Sequence, residues 1–188
     1  MKIVLGSKSP RRFELMTLLG FDFVVDAVDI DENIEGALHA KDYVKKITLK
    51  KAIAIHKRHP NSMIICADTI VVSGENILEK PANKDDARNM IKVLSGNYHY
   101  VYTAVAVFYH KQRKTFIEKT KVYVDTMTLN EIESYIKTEE PYDKAGGYAI
   151  QGSFGKYIKK IEGDYYNVVG LPLNRLYRLI TEIKKSES

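Results

Sequence analysis

Apolar residues recur along this chain in two alternating rhythms. Runs at residues 2–5, 21–28, 63–72, 98–109, 115–124 and 157–161 are short, rich in Val, Ile, Phe and Tyr, and read as strands. Between them, apolar positions return every three or four residues. One such stretch covers about 10–19 and closes on Gly20, a natural residue for a helix C-terminus. A second covers about 39–57, with Val44, Ile47, Ala54 and Ile55 on one stripe. A third follows Asn83, whose partner Asp86 stands three residues on; it turns Ala87, Met90, Ile91 and Leu94 inward and stops at Gly96. A fourth opens with the capping box Thr128-x-x-Glu131, and the last starts at Pro172 with Leu176, Tyr177, Ile180 and Ile183 on one face.

Alternating helices and strands predict an α/β fold with helices flanking a twisted sheet. The runs at 98–109 and 115–124 are joined by the polar turn 110–114, which makes a hairpin, so the sheet is mixed and not purely parallel. The chain shows no internal repeat, low-complexity tract or Pro/Gly linker, and its 188 residues suffice for one core. A single domain over 1–188, divided into two lobes around a cleft, is the expectation.

Composition narrows the setting. No apolar run approaches the length of a membrane helix, and the N-terminus lacks the apolar core of a secretion signal. The lone cysteine, Cys66, excludes an internal disulfide and a multi-cysteine zinc site, and its apolar neighbours predict a buried structural thiol. A cytoplasmic protein is predicted. The net charge of +5 agrees with an anionic ligand, but the lysines are dispersed and form no long basic block, which gives little support for nucleic-acid binding.

The segment Gly6-Ser7-Lys8-Ser9-Pro10-Arg11-Arg12 joins the first strand to the first helix. Pro10 suits the first helical turn, and free backbone N–H groups beside two serines and two arginines make an anion site. A phosphorylated ligand is expected there. Asp68 lies inside an apolar strand run, so it either faces a site or is paired by a cation. Glu32, just past a strand in Val28-Asp29-Ile30-Asp31-Glu32, is an ordinary loop acid unless it converges with Asp68. Two or three such carboxylates would suit Mg2+ or Mn2+. Lys51 falls on the apolar stripe of the second helix, where it snorkels outward or reaches inward to an anion. Pro81 holds Lys80 in an extended conformation. The segment from Asp143 to Gly152 forms a second permissive loop, in which Gln151 offers both a donor and an acceptor, as a base edge requires. No Walker loop, dinucleotide fingerprint or serine elbow is present, and the five histidines show no ligand spacing.

Taken in order, Ser7-Lys8-Ser9-Pro10-Arg11-Arg12, Asp31-Glu32, Lys51-Ala52, Ala67-Asp68-Thr69, Lys80-Pro81, Leu94-Ser95-Gly96, Asp143-Lys144-Ala145-Gly146, Ile150-Gln151-Gly152 and Val169-Gly170-Leu171-Pro172 resemble the Maf family of nucleoside triphosphate pyrophosphatases. The resemblance implies an elongated, inosine-triphosphatase-like fold of two lobes around a central cleft. It implies cleavage between the α- and β-phosphates, giving a monophosphate and pyrophosphate. It assigns Asp68 the catalytic role and, with Glu32, the metal. Ser7, Ser9, Arg12, Lys51 and Lys80 would take the phosphates. Arg11, Thr69 and Gln151 match the branch acting on dTTP, UTP and modified pyrimidine triphosphates, where the branch acting on 7-methyl-GTP shows Trp, Gln and Glu. A divalent cation, Mg2+ or Mn2+, and a homodimer are implied as well. Two small departures stand out: Gly147 and Ala149 in the late loop, and Lys46-Ile47-Thr48 ahead of Lys51. A purine-directed enzyme on the same fold would share most of these residues. A non-enzymatic regulator of division that binds nucleotide or nucleic acid would keep the basic residues but would not need Asp68.

Overall fold

Strand β1 (Ile3–Leu5) is buried along its whole length, on both faces, and has a parallel strand along each edge. This is why its sequence is a continuous apolar run and not an alternating one. The computed structural model describes residues 1–30 and 39–186, which fall into two compact units.

The first unit comprises Met1–Asp68, Thr103–Glu118 and Gly170–Ser188. In it β1 pairs with β2 (Phe23–Val25) on one side and β3 (Met63–Ser73) on the other, in register Ile3↔Phe23 and Ile3↔Met63. Helix α1 (Pro10–Leu18) follows β1, α2 (Ala40–Arg58) precedes β3, and α6 (Leu173–Ser186) closes the chain. Val4, Ala52, Ile55, Ile64, Cys66, Ala106 and Phe108 form one core cluster. Strand β2 is shorter than the apolar run at 21–28 predicts; as an edge strand it leaves Val24 and Val25 exposed. Tyr177 also departs from the pattern, being 48% exposed and stacked on Phe21. In α2 the buried stripe is Val44, Ile47, Thr48, Ala52 and Ile55, with Ala54 half-buried at its margin.

The second unit comprises Thr69–Tyr102 and Lys119–Val169. Here β3 folds back through the turn at residues 73–76 onto β4 (Asn76–Leu78), an antiparallel pair that continues as the extended segment reaching Lys80-Pro81. Helix α3 (Lys84–Leu94) starts under Asn83, whose side chain accepts from Asp86 N, and α4 (Leu129–Tyr135) starts with the predicted Thr128–Glu131 capping box intact. Both helices pack on Val101, Val122, Val124, Tyr148 and Phe154. Three short 3-10 turns, Glu140–Asp143, Ala145–Gly147 and Ser153–Tyr157, carry the chain to β7 (Ile158–Glu162), which runs antiparallel to the neighbouring strand and leads to the short α5 (Tyr165–Val169).

Strands β5 (Tyr98–Tyr109) and β6 (Gln112–Val124) form the expected hairpin, but the turn is only His110 and Lys111, with His110 at φ 50°. The polar residues 112–114 belong to the strand. Sheet order is β2-β1-β3-β5-β6-β7 with β4 on β3, so the sheet is mixed, as predicted.

Candidate active site

The loop from β1 into α1 is seated hard against β3. Gly6 N donates to Ile65 O at 2.8 Å. A Cβ on Gly6 would overlap Cys66 Sγ and the Ile55 Cδ1 methyl, so only glycine allows this approach. Ser9 is the N-cap of α1: its Oγ accepts from Arg12 N at 3.4 Å, and its own N donates to Ser7 Oγ at 3.2 Å. The first turn contains no acidic residue, so the positive end of the helix is not offset locally. Arg12 Nε donates to Gly170 O at 2.9 Å, and its Nη1 lies 3.4 Å from Ser7 Oγ. The predicted phosphate ligands Ser7, Ser9 and Arg12 therefore lie together. Lys8 turns outward to Asp29 at 2.8 Å. Arg11 is half-buried and makes no hydrogen bond or ion pair with any described residue.

Lys51 reaches inward instead of snorkelling. Its Nζ lies 3.0 Å from Asp68 Oδ1, and the two side chains are 16% and 17% exposed. The strand carboxylate thus has its cation, while Asp68 Oδ2 takes no hydrogen bond from a described residue. Cys66, two residues earlier, is buried as predicted; burial pushes its thiol up to about 12, against the opposing pull of the nearby Lys51 and Arg12 charges. Glu32, like Asp31, lies outside the described residues. Among the described residues no three His, Cys, Asp or Glu side chains gather as a metal cluster. What the described residues offer is one hard carboxylate oxygen, which fits Mg2+ or Mn2+ where water and phosphate oxygens complete the shell.

In the second unit, Thr69 is half-buried on β3. Beyond β4, Glu79 O accepts from Gly146 N at 3.0 Å, which lays the Lys80-Pro81 segment beside the predicted permissive loop. Gly146 and Gly147 both hold φ 71°, and a Cβ on Gly146 would lie 2.9 Å from Val71. Lys80 is exposed next to buried Pro81. Gln151 is exposed in a turn closed by Gly152 N donating to Ala149 O at 3.1 Å.

Glu140 is the residue that inspection of the sequence passes over. Its Oε2 accepts from Ser153 N and Ser153 Oγ, both at 2.7 Å; its Oε1 accepts from Tyr135 OH at 3.1 Å and Phe154 N at 3.3 Å. Burial opposes ionisation of this carboxyl, but the hydrogen bonds from Ser153, Phe154 and Tyr135 outweigh it and hold the group below the usual carboxylate range. Its partners Ser153 and Phe154 stand 13 and 14 residues away in sequence, and Tyr135 stands five before it, so no capping motif marks it. The same holds for His99, buried 49 residues from its partner, the Tyr148 hydroxyl, at 2.6 Å.

Comparison with known proteins adds a family and a fold. Residues 2–183 match the family model described as Maf-like protein. A dTTP/UTP pyrophosphatase of Geobacillus sp. (strain WCH70) is 44% identical over 184 residues, covering 98% of this chain and 97% of that protein. A dTTP/UTP pyrophosphatase of Bacillus mycoides (strain KBAB4) is 42% identical, covering 100% of this chain and 96% of that protein. Among solved structures, a HAM1 protein from Coxiella burnetii superposes with a TM-score of 0.54 at 11% identity, over 97% of this chain and 99% of that one. The Ham1 protein of Staphylococcus aureus gives 0.53 at 11% identity over the same shares. These two likenesses concern the fold alone.

Proposed function

The chain belongs to the Maf-like protein family, and from that premise we propose that it is a nucleoside triphosphate pyrophosphatase, hydrolysing dTTP and UTP to the monophosphate and pyrophosphate. Modified pyrimidine triphosphates are further substrates in this reading. The observation that carries it is the identity of 42–44%, over nearly the whole length, to proteins named for that activity. The match over residues 2–183 supports treating 1–188 as one functional domain.

Ser7, Ser9 and Arg12, gathered at the start of α1, take phosphate oxygens, and Lys51 and Lys80 add positive charge. Phosphoryl transfer depends mainly on such positioning and electrostatics. Asp68 orients the attacking water or accepts its proton at Oδ2, while Lys51 holds the other oxygen. Asp68 and Glu32 would hold the divalent metal, Mg2+ or Mn2+, which supplies charge to offset the phosphates when bound. The bond between the α-phosphate and the bridging oxygen breaks, and pyrophosphate leaves. Arg11, Thr69 and Gln151 select a pyrimidine base. Arg11 has no described partner to hold it back, and Gln151 can both donate to and accept from a uracil or thymine edge.

A cytoplasmic homodimer completes the proposal. Among the described residues no helix is long and apolar enough to cross a membrane. Phe13, Leu18, Val24 and Val25 leave an apolar edge on α1 and β2 that a second copy would cover.

The test is pyrophosphate release from dTTP, UTP, CTP, GTP and 7-methyl-GTP, with and without Mg2+ or Mn2+. Metal-dependent turnover favouring dTTP and UTP is expected. Preference for 7-methyl-GTP would overturn the assigned roles of Arg11, Thr69 and Gln151, and the absence of turnover would favour a binding protein.

A further inference from the structure

Gln151 makes no hydrogen bond with any described residue, so its position is set entirely by the backbone of the turn that carries it. That turn, residues 149–152, leaves through Ser153 and Phe154, whose N–H groups open the 3-10 turn Ser153–Tyr157. The N-cap position of this 3-10 turn is Gly152, which has no side chain to cap it. Glu140 performs the capping from a distance, through Ser153 N, Ser153 Oγ and Phe154 N. The carboxylate sits so close under the turn that a Cβ on Gly152 would collide with it.

The entry to the turn is tied to the same group. The Tyr135 hydroxyl lies 3.1 Å from Glu140 Oε1 and 3.0 Å from Gly147 O. Neither ionised carboxylate nor carbonyl has a proton to give, so the single hydroxyl proton bridges both acceptors and links the chain before Gln151 to the chain after it. The Tyr135 ring is buried with its centroid 5.1 Å from that of Phe154, which limits its freedom to move away.

We propose that Glu140 is a positioning residue for base recognition, its carboxylate and the Tyr135 hydroxyl fixing both ends of the turn that presents Gln151. This rests on the reading above in which Gln151 contacts the base. A side-chain amide discriminates donors from acceptors only if its backbone is held still, so loosening the turn should reduce discrimination more than chemistry.

Steady-state kinetics of the full chain on dTTP, UTP and GTP, for wild type, Glu140→Gln, Tyr135→Phe and Gln151→Ala, test this. In Glu140→Gln the amide places an NH2 where one oxygen received N–H donors. KM for dTTP and UTP should rise about 10-fold, the preference over GTP should shrink by a similar factor, and kcat should stay within about threefold, as expected for lost orientation at a remote point. Tyr135→Phe, which keeps the ring, should show the same split to a lesser degree and carries the test if Glu140→Gln does not fold. Hydrogen exchange at the Ser153 and Phe154 amides should speed up in both. A lowered melting temperature with wild-type KM and wild-type preference would overturn the inference and leave Glu140 a purely structural cap. If Gln151→Ala loses its preference and Glu140→Gln keeps it, this inference alone fails. If Gln151→Ala also keeps it, or wild type releases no pyrophosphate, the base-contact reading fails and the inference falls with it.

Discussion

Lys51 on α2 and Asp68 on β3 meet at 3.0 Å with less than a fifth of either side chain exposed. An ion pair this sheltered holds its two charges in one geometry while leaving one carboxylate oxygen for other chemistry. Asp68→Asn preserves an acceptor for the lysine and the volume of the side chain, so the fold should survive. Pyrophosphate release should drop by about 10²–10⁴-fold, the usual effect of losing a general base. Thermal melting measured beside the kinetics separates the two effects. A variant with wild-type turnover would remove Asp68 from the reaction.

Lys51→Met bears on the same pair from the other side. It leaves a sheltered carboxylate without its cation, which costs on the order of 1–3 kcal/mol for a partly solvated group. Activity and stability should both fall, and stability should fall further than in Asp68→Asn, which keeps a hydrogen-bond acceptor for the lysine. Urea denaturation of the two variants side by side reads the contrast.

His99 gives the protein a predictable acid sensitivity. The ring is buried, its Nε2 paired with Tyr148 OH at 2.6 Å and its Nδ1 without a partner among the described residues, and burial lowers its pKa from 6.5 to about 4. Between those values the unfolded chain binds a proton that the folded chain refuses. The stability contributed by the neutral ring is therefore complete above pH 6.5 and is lost as pH falls toward 4. The full loss is on the order of 3 kcal/mol. Urea midpoints between pH 7 and 4.5 should decline more steeply for wild type than for His99→Gln, and parallel declines would show that this histidine does not carry the effect.

The loop before α1 makes a steric prediction. A methyl on Gly6 has nowhere to go between Cys66 and Ile55, so Gly6→Ala should destabilise by about 1–3 kcal/mol, as overpacked cores do. Cys66→Ala and Ile55→Val remove the two opposing atoms. Adding both to Gly6→Ala should recover part of the loss, although each alone opens a small cavity. Circular-dichroism melts of the single and triple variants decide it; a stable Gly6→Ala would mean that β1 and β3 can separate at this point.

Parts of the site that depend on local pattern were legible from the residues alone. Lys51 stood on an apolar stripe, Asp68 interrupted an apolar run, Pro10 announced a helix start, and Thr128 and Glu131 spelled a capping box that forms as written. What escaped was non-local. The turn at residues 73–76 and the extended segment after it could be read locally, but the pairing of three-residue β4 with β3 is too short for a period to show. The polar stretch 112–114 reads as a turn but extends β6, because the turn needs only His110 and Lys111 and pairing with β5 can begin at Gln112. Glu140 looks like one acid among several, and its role exists only once the 3-10 turns bring Ser153 and Phe154 to it.

The final prediction concerns base choice at Gln151. An amide can donate to a uracil or thymine carbonyl and accept from the ring N–H, whereas a carboxylate can only accept. Gln151→Glu would set a carboxylate oxygen against the base carbonyl, which loses a hydrogen bond and adds repulsion. Its kcat/KM for dTTP and UTP should fall by about 10- to 100-fold, the scale of leaving one polar group unpaired. The added negative charge also repels every triphosphate, so absolute rates on all substrates will drop. The informative quantity is the ratio of kcat/KM for UTP to that for GTP, in which the shared repulsion cancels. Guanine presents N–H groups that a carboxylate can accept from, so this ratio should move toward the purine. An unchanged ratio would mean that Gln151 does not touch the base, and would return the choice of substrate to Arg11 and Thr69.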